Sequence, residues 1–231
     1  MSVPSDEDLF AKLGTIVDPR VPGARASLRV PTPGSAPARA VTERRRLAVL
    51  VAGVLWLAGN LAVFGLRPDL RTLPFSYVEW EVAIPYLLAL GCLVTALATG
   101  RLGLGVNVAL LAVLGVLGPA LFCLLGAGVP LPHAAPPGAG SFVNALPCLG
   151  ITVAWAAVPL LLAAFGWRGA FPVASARRAA LLGAAVGLFA GASINLHCPN
   201  VAHFHLFMGH ALPVLAATLA GAFVLARWTR T

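Results

Sequence analysis

Three observations predict an all-α polytopic membrane protein: six long apolar runs, a one-sided placement of positive charge between them, and aromatic residues at the run ends. The runs are Leu47–Leu66, Val82–Ala98, Leu102–Ala127, Phe142–Phe165, Ala179–Leu196 and Phe207–Ala226. Most approach the roughly 20 residues that a helix needs to cross a bilayer, where every backbone polar group must be satisfied within the segment. The second run is short, and Val78–Trp80 extends it if Glu79 and Glu81 sit among the headgroups.

Lys and Arg near spanning segments stay on the cytoplasmic side. Of the 16 in this chain, Lys12, Arg20, Arg25, Arg29, Arg39, Arg44, Arg45 and Arg46 precede the first run. Arg101 lies between runs two and three, Arg168, Arg177 and Arg178 between four and five, and Arg227 and Arg230 after the sixth. Placing both termini inside leaves only Arg67 and Arg71 outside. A membrane protein with cytoplasmic amino and carboxyl termini is therefore expected. Tyr77, Trp80 and Tyr86 flank the outer end of run two, while Trp167 and Trp228 mark inner ends, as interfacial aromatics should. The formal net charge of +8 is scattered among spans, which suits contact with an anionic bilayer and argues against direct DNA binding. Glu43 and three arginines precede the first run with no cleavage site nearby, so that run reads as a signal anchor.

Three parts follow: a helix over residues 1–18, a linker over 19–45 and a six-helix membrane domain over 46–231. In the first, Leu9, Phe10, Leu13, Ile16 and Val17 recur at helical spacing, Ser5 is placed to cap, and Asp6, Glu7 and Asp8 complement the helix dipole. A helix of about three turns is marginal in water, so the stripe needs a cover. Its acidic polar side is the wrong sign for anionic lipid and favours a protein partner, with the membrane surface or a disordered segment as alternatives. The linker contains Pro19, Pro22, Pro31, Pro33 and Pro37 among Gly, Ala and Ser, and its r.m.s. span is on the order of 25 to 30 Å.

In run five, Ala179, Gly183, Gly187 and Gly191 repeat every four residues and lead to Asn195, a stripe that lets a neighbouring helix approach closely. Asn60 and Asn107 read as helix-contacting amides. No acidic or basic residue is expected deep within a span, which argues against an ion-coupled transporter or proton pump. Gly-x-Ser-x-Gly and phosphate-binding glycine loops are absent, and nothing proposes an enzymatic reaction.

Polar chemistry gathers at the outer face. Cys198 follows run five, Cys148 lies near the outer start of run four and Cys123 near the outer end of run three, whereas Cys92 belongs to the middle or inner half of run two. Four of the five histidines, His197, His203, His205 and His210, fall around the junction of runs five and six. At regular helical spacing His203 and His210 share a face and His205 points away. Imidazole and thiolate suit zinc or copper, so His197, Cys198, His203 and His210 are a candidate soft-metal set, although the spacing matches no standard zinc motif. Redox or pH sensitivity, inert thiols and plain interfacial histidines are the other readings. The default expectation is no cofactor, with outer-face zinc or copper as the alternative.

The Cys148 region, the glycine-striped segment Arg177–Asn195, and Leu196, His197, Cys198 and Pro199 before a histidine-containing run six resemble the six-span NrsF-type anti-sigma factors. Asp6–Leu13 is similar to that family's sigma-binding tail. The resemblance implies that the tail sequesters an extracytoplasmic-function sigma factor until a signal reaches the membrane domain. It also implies that Cys148 and Cys198 are the family's outer cysteine pair and that Leu9, Phe10 and Leu13 contact the sigma factor. The histidine-rich loop and the third thiol, Cys123, depart from that pattern, and the soluble zinc-binding signature His-x3-Cys-x-x-Cys is absent.

Overall fold

Alanine, leucine and valine fill the apolar runs, and a backbone of such residues satisfies its polar groups most readily within itself, as helix. The computed structural model describes residues 36–97, 108–128, 141–167 and 175–230, which are helical apart from short connections. The tail helix over 1–18 and most of the linker lie outside the described residues. By internal contacts the chain separates into Met1–Arg44 and Arg45–Thr231, and the second unit holds the bundle.

The helices are α1 (Ala36–Phe64), α2 (Phe75–Val78, a π turn at Glu79–Ala83, then Ile84–Leu97), α3 (Val108–Gly128), α4 (Phe142–Gly166) and α5 (Ser175–His197). Helix α6 runs from His203 to Arg230 through two π turns, Phe207–Ala211 and Gly221–Leu225. Five described stretches are long and apolar enough to cross a membrane: Arg46–Phe64, Phe75–Leu97, Phe142–Gly166, Ala176–His197 and His203–Trp228. Within α3 the described apolar stretch is the shorter Val113–Leu124.

Helix α5 is the hub and packs on α2, α3, α4 and α6. Some 78% of its apolar window is buried, against none of α1's. The glycine stripe explains how. A Cβ at Gly183 would run into the carbonyl oxygen of Ala217, and one at Gly187 would sit 2.9 Å from the Cα of Val214. The backbones of α5 and α6 thus touch where side chains are missing. The third glycine, Gly191, makes room for the ring of Phe122 from α3.

Peripheral α1 is tied on by aromatics. The indole N–H of Trp56 donates to the carbonyl of Trp155 at 3.2 Å, and the Phe64 ring lies edge-on to Trp155. Gly65, at φ 75°, ends α1 in the left-handed conformation that closes a helix, its N–H donating to Leu61 at 2.9 Å.

Three of the in-helix prolines, Pro85, Pro159 and Pro213, free carbonyls that side chains take up. Proline lacks an N–H and its ring crowds the carbonyl four residues back, so that carbonyl is freed. Ahead of Pro159 the freed carbonyl is that of Trp155, which Trp56 captures. Pro85 frees Glu81, whose carbonyl accepts from the Asn195 amide at 2.9 Å. Pro213 frees Gly209, whose carbonyl at 2.9 Å shares the Thr152 hydroxyl with the carbonyl of Cys148 at 2.7 Å. In the last two cases a π turn ends two residues before the proline, because widening the turn relieves the clash. These two π turns carry Glu81 and His210.

Candidate functional site

At the ends of α4, α5 and α6 four ligand atoms converge: the Sγ atoms of Cys148 and Cys198 and one ring nitrogen each of His205 and His210. All lie within 4.8 Å of one another. Cys148 sits in the second turn of α4, whose first turn is capped by the Ser141 hydroxyl accepting from the Asn144 N–H at 3.4 Å. Cys198 follows α5 directly, its N–H still donating to Ile194 at 2.7 Å. His205 lies in the first turn of α6 and His210 in its π turn.

The two sulfurs are 3.4 Å apart with Cys148 donating, and both cysteines are free thiols. His205 Nε2 is 3.2 Å from Cys198 Sγ, and its ring meets that of His210 edge-on at 5.3 Å. His210 Nδ1 is hydrogen-bonded to Asn195 Oδ1. The Asn195 amide nitrogen donates to the carbonyl and, at 3.3 Å, to the carboxylate of Glu81. Cys198, His205, His210, Asn195 and Glu81 are all buried. Three buried atoms in this chain of contacts have no hydrogen-bond partner: Glu81 Oε1, His205 Nδ1 and His210 Nε2. In the loop beyond α5, Cys198 is pulled below the usual thiol range by the Cys148 S–H, against burial and with help from His205.

A buried arginine closes the site from the side of the α1–α2 loop. The Arg67 guanidinium makes a two-pronged pair with Asp69 at 2.7 and 2.8 Å, and donates at 3.2 Å to both the Tyr77 hydroxyl and the carbonyl of Pro199. Its carbon lies 5.3 Å from the centre of the Tyr77 ring. The guanidinium, stacked on a buried phenol, thus binds the loop to the turn that carries Cys198.

The family model for NrsF, negative regulator of sigma F, matches residues 32–230. The chain belongs to the NrsF family. No curated protein and no solved structure matches it. The family is one of regulators that act negatively on a sigma factor, so an NrsF member takes a sigma factor as partner. The proposed sigma-contacting residues Leu9, Phe10, Leu13, Ile16 and Val17 precede the matched segment and fall outside the described residues.

This NrsF member brings Cys148 and Cys198 together, yet its donor set differs from the sequence-based one. His210 belongs to it, whereas His203 is exposed and His197 instead lies 3.1 Å from the Gly65 carbonyl, capping the end of α1. The physical reason is the π turn at Phe207–Ala211. One extra residue in the turn brings positions five apart, His205 and His210, onto one side, where regular spacing pairs His203 with His210. Cys123 also stands apart, 4.0 Å from the Ala211 carbonyl, and Cys92 is buried beside Leu114. Gly183, Gly187 and Gly191 pack α5 on its neighbours, and Asn195, at the end of that stripe, enters the polar chain instead.

Placing Glu81 among headgroups is corrected: it is 1% exposed and faces Asn195, while Glu79 is exposed. Tyr77, expected at the interface, is fully buried beneath Arg67. Sequence reasoning missed Glu81, His205, Arg67 and Tyr77 as site residues. The available signal was proline spacing, since Pro85 lies four residues after Glu81 and Pro213 four after Gly209.

Proposed function

We propose that this chain is a membrane-bound anti-sigma factor. On this reading it holds an extracytoplasmic-function sigma factor at the cytoplasmic face of a bacterial inner membrane and releases it when a signal reaches the membrane domain. The observation that carries the reading is the family match across 32–230 combined with five described stretches fit to span a bilayer. Residues 46–231 act as a six-span domain with both termini inside, in line with the charge asymmetry. Residues 1–18 are the sequestering helix and 19–45 its tether. Tethering to the membrane raises the effective concentration of a marginal helix toward a partner held at the same surface, into the mM range for short flexible linkers.

The signal-receiving site is the Cys148, Cys198, His205 and His210 cluster. Two sulfurs and two imidazoles form a donor set for a thiophilic cation such as zinc or monovalent copper. In a tetrahedral site with bonds of about 2.0 to 2.3 Å, neighbouring donors sit about 3.3 to 3.8 Å apart. The sulfur pair at 3.4 Å and the Cys198–His205 contact at 3.2 Å lie close to that spacing. Oxidation of the thiol pair is the second chemistry that the 3.4 Å contact favours.

Replacing Leu9, Phe10 and Leu13 together by Ser tests sequestration. The expected result is constitutive activity of the sigma factor's promoters with normal amounts of membrane-inserted protein, and loss of sigma-factor capture by the tail in pull-downs from membranes. Unchanged promoter output at normal protein levels would refute sequestration through this helix.

A further inference from the structure

Glu81 and Asn195 act on His210, and the link from them to cation affinity rests on reading the Cys148–Cys198–His205–His210 cluster as the signal site. Asn195 has one acceptor and one donor end, and Glu81 decides which way they face. The carbonyl of Glu81, freed by Pro85, and the Glu81 carboxylate are both acceptors, at 2.9 and 3.3 Å from the Asn195 amide nitrogen. Turning the amide over would set its oxygen against two other oxygens in a buried position, so the nitrogen must face Glu81.

The consequence passes to the next residue. Asn195 Oδ1 is then the atom that meets His210 Nδ1, and it can only accept. His210 therefore carries its proton on Nδ1, and Nε2 is left as a bare lone pair. That nitrogen is buried, has no hydrogen-bond partner, and belongs to the residue that completes the four-donor cluster. A neutral imidazole with its second nitrogen tied to an oxygen is the form in which histidine acts as a ligand or acceptor, and the oxygen sets which nitrogen is free.

We propose that Glu81 and Asn195 are positioning residues that lock His210 as the Nδ1–H tautomer and present Nε2 to the Cys148–Cys198 thiols. The carbonyl and carboxylate of one α2 residue thereby set the donor character of a site built from α4, α5 and α6. The π turns that carry Glu81 and His210 are what bring the two within reach of one amide.

The test uses the full-length protein in detergent or nanodiscs, labelled with 15N-histidine, and His210→Gln identifies the His210 signals. The wild type is expected to show the Nδ1–H tautomer at His210 without any added metal. Asn195→Leu is expected to give mixed tautomers and, in competition titrations against a chromophoric chelator, 10- to 100-fold weaker binding of zinc or monovalent copper. Asn195→Asp, which as the protonated acid donates its O–H to Glu81 and keeps its other oxygen for the Nδ1 proton, is expected to retain the wild-type tautomer. A purely structural role for Asn195 would not sort these two variants by tautomer. If Asn195→Leu does not fold, Asn195→Ala, which also removes the amide, provides the same comparison. An Nε2–H tautomer in the wild type overturns the proposal, as do Asn195→Leu spectra and affinities equal to wild type. A locked Nδ1–H signal in protein that binds neither cation upholds the positioning and overturns the cation reading.

Discussion

Arg67 donates its backbone N–H to the carbonyl of Leu196 at 2.8 Å, so the α1–α2 loop is stitched to the last turn of α5 one residue before His197. The carbonyls of a helix's last turn have no intrahelical partner, and here a neighbouring loop supplies one. With the guanidinium reaching Pro199, Asp69 and Tyr77, one residue fixes the loop on both sides of Cys198.

Removing that guanidinium should open the site. Arg67→Met keeps the apolar stem but loses the charge-assisted contacts, worth about 1.5 to 3 kcal/mol in favourable cases and less here, because the Asp69 side chain is 42% exposed. Labelling of Cys198 by a small maleimide, in a Cys92→Ser, Cys123→Ser and Cys148→Ser background, is expected to accelerate about tenfold. A rate equal to that of Arg67-containing protein would show that the loop does not gate access.

The α5–α6 seam should tolerate no added carbon. Gly183→Ala is expected to cost about 1 to 3 kcal/mol, since the new Cβ meets the Ala217 carbonyl. Gly91→Ala, with nothing within 4 Å of its Cβ, should be neutral or slightly stabilising. Denaturant unfolding of the two variants in detergent makes the comparison, and equal midpoints would contradict backbone contact at the seam.

Thr152 and Pro213 should be energetically coupled through the carbonyl of Gly209. Thr152→Val strips the freed carbonyl of its partner in a fully buried position, at a cost of about 1 to 3 kcal/mol. Pro213→Ala restores a backbone N–H that can serve that carbonyl, so it should be better tolerated in Thr152→Val than in wild type. A double-mutant cycle measures the coupling, and strict additivity would rule out the shared acceptor.

Orientation is checked by fusion reporters. Those after Thr231 and at Gly100–Arg101 should read cytoplasmic and one near His133 external, because fourteen of the sixteen positive charges then stay inside. An external carboxyl terminus would remove the six-span arrangement.

Much of the fold was legible because it depends on local composition. Apolar runs become helices wherever water is absent, and a four-residue glycine repeat marks a seam at any depth. The site was legible in part. Cys148 and Cys198 emerged from their positions at helix ends, whereas His205 was turned away by an assumption of regular helical spacing that one π turn invalidates. Glu81 was assigned to the headgroups because an isolated carboxylate in a span is costly. Nothing in its local sequence tells that Asn195, 114 positions away, supplies a donor.

The sequence by itself determined the class of this protein: a chain helical through most of its described residues, with several stretches long and apolar enough to span a membrane, and membership of a family of sigma-factor regulators. Such properties follow from composition and short-range periodicity, which any window of the chain carries within itself. Only the tertiary structure decided which histidines meet the thiols, that Arg67 lies buried on Tyr77, and which end of the Asn195 amide faces His210. The histidine and amide outcomes hang on Pro85 and Pro213 freeing carbonyls and on the widened turns before them, features that shift a side chain's direction by a fraction of a turn. Hydrogen bonds and metal-ligand contacts act over about 3 Å. A rotation too small to disturb the apolar pattern is therefore large enough to choose the residues of the site.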